Sequence, residues 1–234
     1  MNNILEIKNL NLFFDEFQAL YNVNLSLEKG IMHALVGESG CGKTMTAMSV
    51  MRLLPKAASI RSGEIFFNGE NLLDYKEKQM RDLRGNKIAL IPQDPMTALN
   101  PLYTVGNQLI EAIQAHTKVS SRQALRKARE VMDMVCIPEI DKKLDFYPHE
   151  FSGGMKQKLL IAIALAKQSK LLLFDEPTAN LDPKARAQFL NLLTQKAQDK
   201  AVIFISHRVD EVRTLTDKII EMDLGKITQE RNND

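Results

Sequence analysis

The sequence predicts an α/β protein built on a mostly parallel β-sheet, with an antiparallel β element and an inserted helical segment. Short apolar runs recur along the 234 residues, and several precede stretches with helical spacing. This alternation is typical of a parallel sheet covered by helices. Residues 94–166 differ, because helical spacing dominates there. We therefore expect a sheet core interrupted by helices.

The expected strands are short apolar runs bounded by polar or turn residues. Five runs fit buried strands: residues 5–7, 32–36, 88–91, 171–174 and 202–205. A further strand at 65–67 ends in a turn at Asn68-Gly69. Residues 218–222 and 227–229 flank a turn, which predicts a late hairpin.

The helical segment opens with Pro95 and Pro101. One of its helices is predicted from a single apolar stripe, with Ser120 or Ser121 as its N-cap. The stripe consists of Leu125, Ala128, Met132 and Val135.

Composition excludes several classes of protein. The net charge of +2 gives no support to nucleic-acid binding. Cys41 and Cys136 are too few and too far apart for a disulfide framework or a metal cluster. No apolar run approaches the roughly 20 residues needed to cross a bilayer, so other chains would have to span a membrane.

A glycine-rich loop joins the expected strand 32–36 to a predicted helix at 44–54. It reads Gly37-Glu38-Ser39-Gly40-Cys41-Gly42-Lys43-Thr44. The glycines let backbone N–H groups point at phosphate oxygens, and the helix N-terminus adds its positive dipole end. Lys43 would reach the β- and γ-phosphates, and the Thr44 hydroxyl would bind Mg²⁺. A nucleoside triphosphate with Mg²⁺ is the predicted ligand.

A second motif ends the expected strand 171–174 with two carboxylates. Asp175 can hold magnesium directly or through water, and Glu176 can orient or deprotonate the attacking water. The alternative is that Glu176 only hydrogen-bonds a neighbouring loop.

The third motif is Phe151-Ser152-Gly153-Gly154-Met155, which precedes a predicted helix at 156–167. Two glycines before a helix leave N–H groups unpaired beside a hydroxyl, which makes an anion site. A second phosphate cradle is explained if each chain completes the site of another. The alternative is a glycine turn with a helix cap.

The order of these motifs resembles the nucleotide-binding subunit of ATP-binding cassette (ABC) transporters over nearly the whole chain. The resemblance adds Gln93 as the Q-loop residue, Asp182 as the D-loop residue and His207 as the switch histidine. It implies a RecA-like P-loop NTPase core with the ABC ATPase fold. The core would comprise residues 1–93 and 167–234, and residues 94–166 would form the helical subdomain carrying the signature motif.

Roles for these residues follow from the resemblance and from their chemistry. The Gln93 amide can contact Mg²⁺ or the lytic water, although an isolated glutamine here would be a surface residue. A neutral His207 imidazole can bond the γ-phosphate, although a lone histidine would more often be a satisfied core residue. Asp182 is expected at an interface between cassettes, with a helix N-cap as a compatible alternative. Phe14 is expected to stack on adenine, although Phe13 and Phe17 lie close by.

Residues 93–102 and 148–155 resemble the oligopeptide, dipeptide and nickel importer branch. That branch often has methionine, as at Met155, where most cassettes have glutamine. The resemblance implies an ATPase at the cytoplasmic face of the plasma membrane. Its partners would be a second ATPase subunit, identical or related, two membrane permease subunits and, indirectly, an extracytoplasmic solute-binding protein. The surface after Gln93 would receive a short helix of a permease, unless it is only a packed loop. Peptide-importing members usually carry a long C-terminal extension, so a sequence ending at Asp234 favours nickel or another metal–chelate over peptides.

Two rival functions are a soluble ABC protein of DNA repair or translation, and a module that binds ATP without hydrolysing it. The sequence has neither the second cassette nor the coiled coil usual in the first, and Glu176 with His207 argues against the second. Cys41 beside a helix N-terminus is expected either to be reactive or to be an inert small residue.

Overall fold

The computed structural model describes residues 3–166 and 169–233. Its strands are β1 Asn3–Phe14, β2 Phe17–Glu28, β3 Met32–Val36, β4 Ala58–Phe67, β5 Glu70–Asn71, β6 Ile88–Ile91, β7 Leu171–Asp175, β8 Ala201–Ile205, β9 Lys218–Asp223 and β10 Lys226–Asn232. Its α-helices are α1 Lys43–Met51, α2 Glu77–Leu83, α3 Val105–Gln114, α4 Ser121–Met134, α5 Ile140–Lys143, α6 Gly153–Ala166, α7 Pro183–Lys196 and α8 Val209–Leu215. Among these described helices, none is both long and apolar enough to cross a membrane.

A six-stranded sheet with the order β10-β9-β3-β8-β7-β6 forms the centre of the molecule. Neighbouring strands are parallel from β9 to β6, and only β10 runs antiparallel to its neighbour. β7 and β8 are buried along their whole length, as expected for parallel strands covered on both faces. The predicted parallel sheet and late hairpin are both confirmed.

The two faces of this sheet lie in different hydrophobic cores because side chains alternate along each strand. In β7, Leu172 and Phe174 face a core shared with the helices between β6 and β7. Leu171 and Leu173 face the opposite core, which contains α1 and the second sheet. The molecule therefore has three layers, with the six-stranded sheet in the middle.

The second sheet is antiparallel and has the order β2-β1-β4-β5. The sequence predicts only parts of it, as residues 5–7 and 65–67, and β2 was not predicted. β2 alternates between buried and exposed residues, with Val23, Leu25 and Leu27 buried. The polar residues between them broke up the apolar run that a search for buried strands relies on.

The chain between β6 and β7 contains helices and no strand within its described residues, as predicted for 94–166. Ser120 caps α4, since its hydroxyl accepts a hydrogen bond from the Gln123 N–H. Ala128, Met132 and Val135 of the predicted stripe are buried, and Leu125 packs against the same core. Because these helices share their core with the central sheet, the division into 1–93, 94–166 and 167–234 stays a prediction.

Two helices differ from prediction at their ends. α1 stops at Met51 because Arg52 adopts a left-handed conformation, three residues before Pro55. α6 already begins at Gly153, so the glycines of the third motif form its first turn. Its predicted last residue, Lys167, lies outside the described residues.

Candidate functional site

The candidate site lies at the carboxyl edge of the central sheet. β3 leads into the glycine-rich loop, β7 ends at Asp175, and His207 follows β8 by two residues. Ile91 of β6 pairs with Phe174 of β7, so Gln93 leaves the sheet beside the strand that carries Asp175. Because β6, β7, β8 and β3 are neighbours in this order, the four segments meet at one edge.

The glycine-rich loop is held in a conformation that side chains would obstruct. Gly37 has a φ of 149°, and an added Cβ would lie 2.0 Å from the Met222 carbonyl oxygen. Gly42 has a φ of 109° at the N-cap of α1, and its Cβ would lie 2.6 Å from Leu20 Cδ2. At Gly40 no atom lies within 4 Å of the Cβ position, so the loop is open on that side. Glycine is thus required at Gly37 and Gly42 by close approach as well as by φ.

Lys43 closes the loop in this structure. Its Nζ donates hydrogen bonds to the carbonyl oxygens of Gly37, at 2.9 Å, and Glu38, at 2.8 Å. The side chain is 8% exposed. These bonds hold the ammonium inside the loop, where the first-turn N–H groups of α1 have no partner within the helix.

The Thr44 hydroxyl donates a 2.8 Å hydrogen bond to Asp175 Oδ2. This joins the loop to the end of β7 and brings a hydroxyl and a carboxylate oxygen together. Such hard oxygen donors are what Mg²⁺ prefers, so the predicted pair fits the metal. Gln93, the third predicted ligand, is exposed.

Asp175 is buried, at 4% exposure. Burial raises the pKa of its carboxyl above the ordinary value, and the neighbouring Glu176 carboxylate raises it further. The Thr44 hydrogen bond and the Lys43 ammonium act in the opposite direction. The site therefore holds an anion at a cost that a bound cation would relieve.

Glu176 and His207 face each other. Glu176 Oε2 lies 3.2 Å from His207 Nδ1, and the His207 side chain is 61% exposed. Glu176 has a φ of 46°, which is uncommon for a residue with a side chain. Its N–H donates to the Ile205 carbonyl oxygen at 3.0 Å, which fixes this conformation against the end of β8. A carboxylate paired with an accessible imidazole can orient a water molecule and take its proton.

Phe14 lies at the end of β1, partly buried against the core of the antiparallel sheet. Phe13 instead lies under the Arg61 guanidinium, 4.2 Å from its carbon, and Phe17 is 70% exposed. Adenine stacking by Phe14 stays a prediction.

The third motif caps α6. Ser152 Oγ accepts a hydrogen bond from the Met155 N–H at 3.3 Å, so the predicted alternative of a helix cap is confirmed. Gly154 packs on the chain before α7, since its added Cβ would lie 2.9 Å from the Asn180 carbonyl oxygen. Gly153 has open space at the same position, and both Ser152 and Gly153 are exposed. An anion or a second chain can therefore reach this helix start.

Asp182 is the N-cap of α7, as the compatible alternative predicted. Its Oδ1 accepts hydrogen bonds from the N–H groups of Ala185, at 2.9 Å, and Lys184, at 3.0 Å. The Ala185 bond is the main reason that the pKa of Asp182 lies below its ordinary value. Its place at an interface between cassettes stays a prediction.

Cys41 is buried, and its Sγ lies 3.6 Å from Lys43 Nζ. Cys136, in contrast, is exposed.

One acidic residue near the site was missed by the sequence. Glu211 of α8 is 1% exposed and accepts hydrogen bonds from the hydroxyls of Thr178 and Ser206. In sequence it stands beside Asp210 in a short helix, and a glutamate in such a helix is ordinarily exposed. The one sequence signal is its spacing of four residues from Leu215, which places Glu211 on the apolar face of α8 and Asp210 on the opposite face.

A glycine-rich loop between a parallel strand and a helix, with a hydroxyl–carboxylate pair at the next strand end, defines a P-loop nucleotide-binding domain. The profile described as "ABC transporter" matches residues 20–179. A probable peptide ABC transporter ATP-binding protein of Sinorhizobium fredii is 47% identical over 91% of this chain and 64% of its own length. Two proteins of Bacillus subtilis, for oligopeptide and dipeptide transport, are 42% and 41% identical over 97% and 98% of this chain. The chain belongs to the ABC transporter family of ATP-binding proteins.

The chain spans about two thirds of the length of these relatives, with 65% and 70% of the two Bacillus proteins covered. Among solved structures, a dimeric ATP-binding cassette bound to ADP and Pi matches with a TM-score of 0.88 at 24% identity. The match covers 98% of this chain and 99% of that one. It establishes the ABC ATPase fold, which confirms the predicted fold class.

Proposed function

We propose that the protein is the ATP-hydrolysing subunit of a bacterial ABC importer that takes up short peptides. The observation that carries the hydrolytic part is the pairing of Glu176 with His207, 3.2 Å apart, beside the Thr44–Asp175 pair. The peptide part is supported by the names of the relatives above. Uptake of nickel or another metal–chelate has no such support and stays a prediction.

In this proposal Lys43 binds the β- and γ-phosphates of ATP. Its two hydrogen bonds to carbonyl oxygens would be exchanged for bonds to phosphate oxygens, while the α1 N-terminus supplies further donors. Thr44 and Asp175 would hold Mg²⁺, which supplies charge neutralisation at the phosphates. Gln93 would complete this set after a movement of its loop.

Glu176 would accept the proton of the attacking water, and His207 would orient the carboxylate and bond the γ-phosphate. The exposure of His207 supports this role, because an imidazole buried in the core would not reach a ligand. A module that binds ATP without hydrolysing it would not need the Glu176–His207 pair.

Two chains would form each complete site. The exposed Ser152 and Gly153 at the start of α6 would contact the γ-phosphate held by the loop of the partner chain. Asn180 packs on Gly154, so Asp182, two residues further along the chain, would lie next to this contact. The partner is a second ATPase subunit, identical or related.

The permease surface would lie after Gln93. Met96, Leu102 and Tyr103 are exposed there, at 56%, 79% and 54%. Tyr103 also lines a groove of about 630 Å³. The other residues lining it are Ala98, Asn100, Gln108, Glu111, Ala112 and Ile163. Gln108 stiffens its rim, because its amide donates to the carbonyl oxygens of Asn100 and Tyr103. Exposed apolar side chains beside a groove suit a short helix of a membrane subunit, at the cytoplasmic face of the plasma membrane.

The hydrolytic role is tested by comparing the wild type with Glu176→Gln. We expect MgATP hydrolysis by the wild type, nearly abolished turnover in Glu176→Gln, and unchanged ATP affinity, since Lys43 and Thr44 remain. Hydrolysis by Glu176→Gln at the wild-type rate would exclude Glu176 as the base. Co-purification with integral membrane proteins supports the importer, whereas ribosomes or DNA in the purified material would support the soluble rival.

A further inference from the structure

Glu211 contacts both loops that carry the Glu176–His207 pair. Its Oε2 accepts hydrogen bonds from Thr178 Oγ1, at 2.8 Å, and Ser206 Oγ, at 2.9 Å. Thr178 follows Glu176 by two residues, and Ser206 directly precedes His207. One buried carboxylate oxygen is therefore shared by the two loops.

The other oxygen of Glu211 faces two guanidinium groups. Oε1 lies 3.8 Å from Arg186 Nη1 of α7 and 3.7 Å from Arg208 Nε, next to His207. Neither Oε1 nor Arg208 Nε has a hydrogen-bond partner within the described residues, and both atoms are buried. A distance of 3.7 Å is too long for a hydrogen bond. A small shift of the His207 loop would close this contact.

The simplest alternative is that Glu211 only stabilises its own helix. A carboxylate with that role would make its short bonds within its own helix, to N–H groups at the start of α8 or to a lysine or arginine three or four residues away. Arg208 is such a residue, but its 3.7 Å contact with Glu211 is too long for a hydrogen bond. The two short bonds of Glu211 instead reach Ser206 and Thr178, which lie outside α8, and Thr178 is 33 residues away in sequence. These bonds restrain loops, and the loops carry the reacting side chains.

We propose that Glu211 is a positioning residue for ATP hydrolysis, which keeps Glu176 and His207 at the separation needed for their joint action. This inference rests on the hydrolytic function proposed above. Glu211 itself touches neither water nor phosphate in this role. Its loss would leave nucleotide binding intact and impair the chemical step.

The test is the steady-state MgATP hydrolysis of Glu211→Gln, which removes the charge and keeps the size. Outer-shell partners of metal ligands typically contribute 10- to 100-fold. We expect a loss of similar size here, with kcat falling about tenfold or more. We expect KM, and the ATP affinity measured in the Glu176→Gln background, to change less than about twofold. Asp210→Asn is the matched control, since it removes an exposed charge from the same helix.

A second set of variants separates positioning from stability. Thr178→Val and Ser206→Ala should each lower kcat, and adding both to Glu211→Gln should cause little further loss, because all three act through one contact. The deficit should persist at temperatures well below each variant's Tm, where a purely structural defect disappears. If Glu211→Gln fails to fold, the Thr178→Val/Ser206→Ala double variant carries the test with the same expected deficit.

Wild-type kcat in Glu211→Gln, or a deficit that vanishes well below its Tm, would overturn the inference while leaving the proposed function intact. Absence of hydrolysis by the wild type would instead overturn the proposed function, and this inference with it.

Discussion

Gly153 and Gly154 are adjacent in the first turn of α6, yet the structure predicts opposite effects for alanine at the two positions. At Gly154 the new Cβ would lie 2.9 Å from the Asn180 carbonyl oxygen, whereas ordinary contact begins at 3.4 Å. That neighbour is backbone and cannot rotate away. At Gly153 no atom lies within 4 Å of the Cβ position.

The magnitudes follow from two opposing effects. Alanine gains up to about 1 kcal/mol over glycine in a helix, and this gain applies to both positions. Overpacking of a tight contact costs about 1–3 kcal/mol, and this cost applies to Gly154 alone. In a chain of this size about 1 kcal/mol shifts Tm by 2–4 °C, so Gly154→Ala should melt roughly 2–12 °C below Gly153→Ala.

Calorimetry of the nucleotide-free variants measures this difference. Equal Tm values, or a lower Tm for Gly153→Ala, would refute the packing argument. The two variants should also differ in function. Gly153→Ala is expected to fold well and to lose ATP-driven pairing, because its methyl group would occupy the space proposed for the partner's γ-phosphate.

Three further predictions use single residues. Asp175→Asn should raise the Tm of the nucleotide-free protein at pH 7 while abolishing hydrolysis. The folded pKa of Asp175 is raised, so its carboxylate lowers the stability at neutral pH, and this destabilisation fades as pH falls through the folded pKa. Asp182→Ala should lower Tm by about 2–4 °C, whereas Asp182→Asn should stay close to wild type, because asparagine is an equally good cap. Because the folded pKa of Asp182 is lowered, the Tm difference between wild type and Asp182→Ala should shrink as pH falls below the unfolded pKa. A maleimide should label the exposed Cys136 before the buried Cys41, and ATP should slow the labelling of Cys41 further. The burial of Cys41 would be contradicted if, in a Cys136→Ser variant, Cys41 reacted at the rate of an exposed thiol.

Much of the fold was predictable because its parallel strands are buried on both faces. Such strands read as unbroken apolar runs, and β3, β6, β7 and β8 were all found within a residue of their ends. β2 was missed because only one of its faces is buried, and a twelve-residue alternation with few turn residues is a weaker signal. Helix ends depended on backbone conformation, as at Arg52, which the sequence does not display.

The site was predictable where one residue type performs one chemical task. The glycines, Lys43 and Thr44 belong to a contiguous loop whose spacing is fixed by the phosphates it binds. Glu211 was not predictable, because its partners Thr178 and Ser206 are distant in sequence and its burial is a property of the assembled fold. The pairing of Glu176 with His207 likewise arises only when β7 and β8 lie side by side.

Mixing two inactive variants tests most directly whether each site is formed by two chains. Lys43→Ala removes the phosphate ligand of the loop, and Ser152→Arg blocks the start of α6; each alone should hydrolyse little ATP. In a mixed dimer, the intact loop of the Ser152→Arg chain meets the intact α6 of the Lys43→Ala chain, so hydrolysis should return to a sizeable fraction of the wild-type rate. Mixtures that stay as inactive as the separate variants, under conditions where the wild type is active, would contradict a site shared between two chains.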